Sequence, residues 1–132
     1  MKKRLFKKGE VRMFVSSVLV SVVLIIAGWM MWKHCPKKIN KFYGYRTKRS
    51  MKNMDTWKFA HSYCGKLWCR FGSIFLIFSP VVHMVFHYCC KDVATESVDK
   101  FLCGIQVVIL VASIFFTETA LKKNFFADKN RE

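Results

Sequence analysis

The sequence predicts an all-α membrane protein with three transmembrane helices and an amphipathic interfacial helix between the first and second. Two observations predict it. Residues 13–32, 71–90 and 101–117 form three apolar runs free of Asp, Glu, Lys and Arg, each within the roughly 17–25 residues that span a bilayer as a helix. The charges lie between and before these runs, as 23 Lys and Arg against 8 Asp and Glu, a net charge of +15. A chain of 132 residues that is 53% apolar cannot bury three such runs in one soluble core.

Each element follows from its residues. Residues 1–12 are a basic tail. Residues 13–32 hold twenty uncharged positions and end on Trp29 and Trp32, aromatic residues that favour the membrane interface. The run is too long, and ends too bulkily, for a cleaved signal peptide. Residues 33–70 connect it to the second span, 71–90, where Pro80 removes a backbone hydrogen bond and predicts a kink. Residues 91–100 form a short loop suited to an antiparallel helix pair. The third span runs over 101–121 and passes Glu118 near its end, and 122–132 are a C-terminal tail.

Segment 33–70 carries eleven basic residues and the C-terminal tail four, against six in the N-terminal tail and two in the 91–100 loop. The excess of Lys and Arg places 33–70 and the C-terminus on the cytoplasmic side. A positive surface beside apolar spans points to anionic lipid as a partner, not to nucleic acid.

The connecting segment is more than a linker. Pro36 ends the first helix, and Asn40, Gly44 and the polar run to Ser50 read as an ordered loop. Asn53 is a good helix N-cap, with Asp55 in the first turn. Trp57, Ala60, Cys64, Leu67, Trp68 and Phe71 then recur at steps of three and four as one apolar stripe, with Lys58, Ser62, Lys66 and Arg70 on other faces. That pattern predicts a Trp- and Lys-rich interfacial helix running into the second span.

The stretch YGYRTKRSMKNMDTWKFAH resembles the signature of the SdpI-like family of bacterial membrane proteins. The matching positions are Asn40, Gly44, Arg46, Thr47, Ser50, Asn53 and Trp57, and more loosely His61 and Gly65. The ending T-E-x-x-L-K-K-x-F is similar as well, so the likeness extends over roughly residues 32–126. Lys48 departs from the Pro that follows the Arg-Thr pair in many relatives. The resemblance implies a multi-pass protein of the bacterial cell membrane. It further implies immunity to, or sensing of, a membrane-active peptide toxin, with the basic segment recruiting a cytoplasmic regulator. A small transporter or lipid-interacting envelope protein is the alternative.

Arg46 has two readings: it binds an anionic group, or it pins the loop by bonding carbonyls at helix ends. Lys48, Arg49 and Lys52 read as a phosphate-facing surface. Glu118 is expected to pair with Arg46 or Arg70, as the one acidic residue within reach of a span. His83 and His87 share a helix face. A metal site or proton relay is the sharper reading, and hydrogen bonding between helices the plainer one, since two His leave a metal short of ligands. Gln106 has the same interhelical role. The six Cys show no metal-site or redox spacing and read as small buried thiols. No nucleophile constellation or phosphate-cradling loop is present, so neither an enzyme nor a cofactor is expected. A homo-oligomer has no clear G-x-x-x-G face to support it.

Overall fold

The computed structural model describes residues 8–89 and 95–127. Cys90, residues 91–94 of the link between the second and third spans, and the outer parts of both tails lie outside them. Three helices account for the fold: α1 over Lys8–Lys33, α2 over Met54–Cys89 and α3 over Thr95–Phe125. Each is long and apolar enough to cross a membrane.

The burial pattern is inverted relative to a water-soluble bundle. Side chains turned outward include Val15, Leu19, Ile77, Phe78, Val107 and Phe115, while Ser17, Ser21, Ser79, Gln106, Ser113 and Thr117 are buried. Water-soluble proteins place large apolar residues inside. Here the outer medium is lipid, which offers helices no hydrophobic reason to associate, so small and polar residues mediate contact instead.

The α1–α2 contact shows how. Buried positions 17, 21, 24, 28 and 31 of α1 step by four and three along one face. Gly65, Gly72 and Ser79 repeat every seven residues along α2, which keeps them on one seam. A Cβ added to Gly65 would lie 2.6 Å from the Gly28 carbonyl oxygen, and one on Gly28 would lie 2.8 Å from the Cys69 nitrogen. The two backbones therefore touch. Further along, Ser17 Oγ and Ser79 Oγ are hydrogen-bonded at 2.7 Å.

The third helix joins through polar side chains. Gln106 Nε2 donates to Ser21 Oγ at 2.9 Å, the interhelical role expected of it. Trp68 Nε1 donates to Ser113 Oγ at 2.8 Å. Such bonds between helices matter most away from water, where an unmet polar group costs most.

Two boundaries differ from the apolar runs. The expected interfacial helix and the second span are one continuous helix of 36 residues. At about 1.5 Å per residue that is roughly 54 Å, well beyond a hydrocarbon layer of about 30 Å. The first turns of α2 thus extend past one such layer and carry the motif, with Ala60 and Cys64 packed against Met31 of α1 and Leu121 of α3. The stripe at Trp57, Ala60 and Cys64 is fully buried, so it packs within the protein. Pro80 lies inside α2, and the helix continues to Cys89.

α3 begins at Thr95, ahead of its apolar run. Its first turns bring Asp99 into the bundle, fully buried, with Oδ2 2.9 Å from His83 Nδ1. Glu118 is therefore not alone among acidic residues at a span. The sequence hid Asp99 because it sits in a polar stretch that reads as loop. The α3 stripe at 102, 106, 113 and 117, continued backward, reaches it.

Candidate functional site

The functional candidates gather at one end of the bundle, where residues 34–53 cross from α1 to α2. Asn40 opens the loop. Its Oδ1 accepts hydrogen bonds from the backbone N–H of Phe42 at 3.2 Å and of Tyr43 at 2.8 Å. This Asx turn reverses the chain. Arg46 Nη1 donates to the Lys41 carbonyl, so Arg46 closes its own loop and does not cap a helix end.

Gly44 follows with φ of +101°, a conformation that side chains disfavour. The turn brings the Tyr45 N–H to His61 Nε2 at 3.1 Å. His61 Nδ1 lies 2.8 Å from the Trp57 carbonyl oxygen. A backbone N–H can only donate and a carbonyl only accept. His61 is therefore the neutral tautomer with hydrogen on Nδ1, and it bridges loop to helix. Trp57 packs against it in a tilted arrangement, with ring centroids 4.2 Å apart, and donates from Nε1 to the Pro36 carbonyl at 3.2 Å. His61 and Trp57 are motif residues because they hold both ends of the loop against α2.

Thr47 and Ser50 close the second half. Ser50 Oγ accepts from the Thr47 N–H at 2.9 Å and donates to the Tyr45 carbonyl at 2.9 Å. Thr47 Oγ1 in turn accepts from the Ser50 N–H at 3.2 Å. Asn53 caps α2 as expected: its Oδ1 accepts from the Thr56 N–H at 2.8 Å, while Thr56 Oγ1 accepts from the Asn53 N–H at 3.2 Å. The reciprocal pair is a capping box.

The loop is tied to α3 by a residue that sequence reasoning missed. Tyr45 reaches α3 with its hydroxyl 3.0 Å from the Ile114 carbonyl and 3.2 Å from Glu118 Oε1. The other carboxylate oxygen, Glu118 Oε2, pairs with Arg49 Nη1 at 3.0 Å. The partner expected for Glu118 was Arg46 or Arg70. Arg49 takes that place because the turn over 47–51 swings it toward α3, while Arg46 turns one N–H group to the Lys41 carbonyl. Only the loop's path decides which of the clustered arginines faces the carboxylate.

Below the loop lies a groove of about 330 Å³. Met31 of α1, Trp68 of α2, and Leu110 and Ile114 of α3 form its apolar walls, and residues 44–47, of which Arg46 is exposed, complete the lining. The site is thus an ordered, basic cover over an apolar recess. Among the described residues no cluster of His, Cys, Asp or Glu could hold a metal ion.

A family model described as the SdpI/YfhL protein family matches residues 37–117, the loop and most of the bundle. The chain belongs to that family. It is also similar to the uncharacterized protein YfhL of Bacillus subtilis (strain 168), 40% identical over 52 residues, 39% of this chain and 47% of the relative. The match thus spans about half of the relative's length. No solved structure matches the chain. Asn40, Gly44, Arg46, Thr47, Ser50, Asn53, Trp57, His61 and Glu118 all fall within 37–117 or just after it. The structure brings all of them but Glu118 together in the loop and the first turns of α2, with Glu118 meeting them from α3. His83 and His87 stand apart, toward the other end of α2.

Burial, and then the Glu118 carboxylate, push the Tyr45 hydroxyl above the ordinary tyrosine range. A raised folded value means that the native loop favours the protonated hydroxyl. Its contribution is complete below the ordinary tyrosine value of about 10 and is lost as pH rises through the higher folded value. In a phenolate absorbance titration, one of the four tyrosines should ionise late. Tyr45→Phe should remove that late step and weaken the loop by about 1 kcal/mol, seen as faster proteolysis of 37–53 at neutral pH. A late step that persists in the variant would count against the assignment.

The Arg49–Glu118 pair is half exposed on the arginine side, so its coupling should stay below about 1 kcal/mol. A double-mutant cycle with Arg49→Ala and Glu118→Gln should return that small value. A cycle with Arg46→Ala should return nothing.

Proposed function

We propose that this protein gives immunity to, or senses, a membrane-active peptide toxin in the bacterial cell membrane. The single observation that carries the reading is the motif loop itself. It is built as a fixed platform over the ends of α2 and α3, held by His61, Trp57, Tyr45 and Glu118. A passive linker needs no such fastening. The loop and the C-terminus face the cytoplasm in this proposal, following the excess of Lys and Arg there. The exposed face of Lys48, Arg49 and Lys52 recruits an acidic regulator, and toxin at the membrane reaches that face through the loop's bond to α3.

The test is protection. Expression in a toxin-sensitive strain should raise survival, and the Tyr45→Phe, Glu118→Gln double variant should lose that protection at equal membrane abundance. Unchanged killing by each peptide toxin encoded near the gene would defeat the proposal.

The second reading is a small transporter, and the buried His83–Asp99 contact favours it, because ionisable residues inside a membrane mark ion and substrate paths. Under that reading Asp99→Asn abolishes activity while loop variants do not.

A further inference from the structure

We infer that the groove beneath residues 44–47 is a binding site for one acyl chain of an anionic phospholipid, whose headgroup phosphate lies on Arg46. This goes beyond toxin immunity and does not depend on it. The size of the space comes first. Pockets for small molecules begin at about 300 Å³, and this one holds about 330 Å³. An α-helix is about 10–12 Å across with its side chains and does not enter such a recess. A single flexible hydrocarbon chain does.

The lining agrees. Met31, Trp68, Leu110 and Ile114 present hydrocarbon, sulfur and indole surface. Trp68 has its only polar side-chain atom satisfied by Ser113 Oγ. Ile114 is 42% exposed at the edge, so the recess meets the outer surface of α3, which is lipid-facing. A chain therefore enters sideways from the bilayer.

Charge selects the headgroup. Arg46 and Thr47 belong to the lining, and Arg46 and the neighbouring Lys48 are exposed. Of the five N–H donors of a guanidinium, Arg46 places one group on Lys41. The nearby carboxylate, Glu118, is taken by Arg49 and Tyr45. Among the described residues no carboxylate neutralises Arg46, so its charge remains for a phosphate. Apolar walls below a cationic rim reproduce the order of tail and headgroup in a lipid leaflet. The same leaflet receives the interfacial Trp32, with Lys33 4.4 Å over its ring.

The test uses the full-length protein in nanodiscs of mixed phosphatidylcholine and phosphatidylglycerol. Each lipid carries a photoreactive group on one acyl chain, and labelled peptides are mapped. The wild-type protein should be labelled on the 110–114 stretch of α3, with preference for phosphatidylglycerol. Ile114→Trp, which fills the recess, should abolish that labelling. Val107→Trp, on the open lipid face, should leave it intact. Arg46→Gln, an exposed change that keeps a side-chain N–H donor for the loop while removing the charge, should retain labelling but lower the preference for phosphatidylglycerol about fivefold. Equal labelling by both lipids in the wild type would overturn the inference, as would undiminished labelling in Ile114→Trp. So would a result in which Ile114→Trp abolishes toxin protection and leaves lipid labelling unchanged, since the occupant would then be peptide. Failure of the protection assay alone leaves the labelling result standing, which keeps the two proposals separable.

Discussion

Gly44→Ala is expected to release the loop from α2 and to be the most damaging single change in the motif. Two costs combine. The backbone at φ of +101° is one that alanine adopts at roughly 1–3 kcal/mol. The new methyl would also overlap the His61 imidazole at Nε2, the atom that holds the Tyr45 N–H. Loss of that bond leaves a buried donor unmet, at about 1–3 kcal/mol. The loop should become protease-sensitive between residues 37 and 53, and Trp57 fluorescence should shift as its ring loses the Pro36 contact. A second change separates the two costs. His61→Ala alone removes the acceptor of the Tyr45 N–H without any backbone strain, so it should expose the loop to protease less than Gly44→Ala does. Full protection in the single Gly44→Ala variant would mean that the loop is not held as described.

Gly65→Val should break the bundle instead of the loop. Its side chain would enter a space where an added Cβ already lies 2.6 Å from the Gly28 carbonyl and 2.7 Å from the Trp32 nitrogen. Both neighbours are backbone and cannot rotate aside. Overpacking costs about 1–3 kcal/mol and more where nothing yields. The thermal midpoint in detergent should fall sharply. Gly104→Val is the matching control, because nothing lies within 4 Å of a Cβ there. It should leave the midpoint unchanged or raise it slightly through better helix propensity. Equal midpoints for the two variants would dismiss the α1–α2 seam.

Particular residues show what was legible beforehand. Asn53 was readable as a cap because capping is local: its side chain bonds three residues ahead in sequence. The stripe through Trp57, Ala60 and Cys64 was readable because helical spacing alone puts those residues on one face. Gln106 was readable because an amide in an apolar run must find a partner. Arg49 was not. Three arginines and several lysines share the segment, and nothing local says which one α3 will face. Tyr45 was hidden for the same reason, since its partners lie 69 and 73 residues away. The glycine seam is an intermediate case. A seven-residue repeat of small residues is visible in the sequence, but only against α1 does it acquire meaning.

The sequence by itself determined three apolar helices, a basic ordered segment between the first two, and membership of the SdpI/YfhL family. Those follow from hydropathy, capping and residue spacing, which act over a few turns of chain. Tertiary structure alone decided that the interfacial stripe turns inward, that Glu118 takes Arg49 and Tyr45, and that Asp99 joins His83. In lipid the apolar faces are interchangeable, so hydrophobicity cannot choose how helices pair. Close backbone approach and a few polar bonds choose instead, and these exist only once the three helices are in contact.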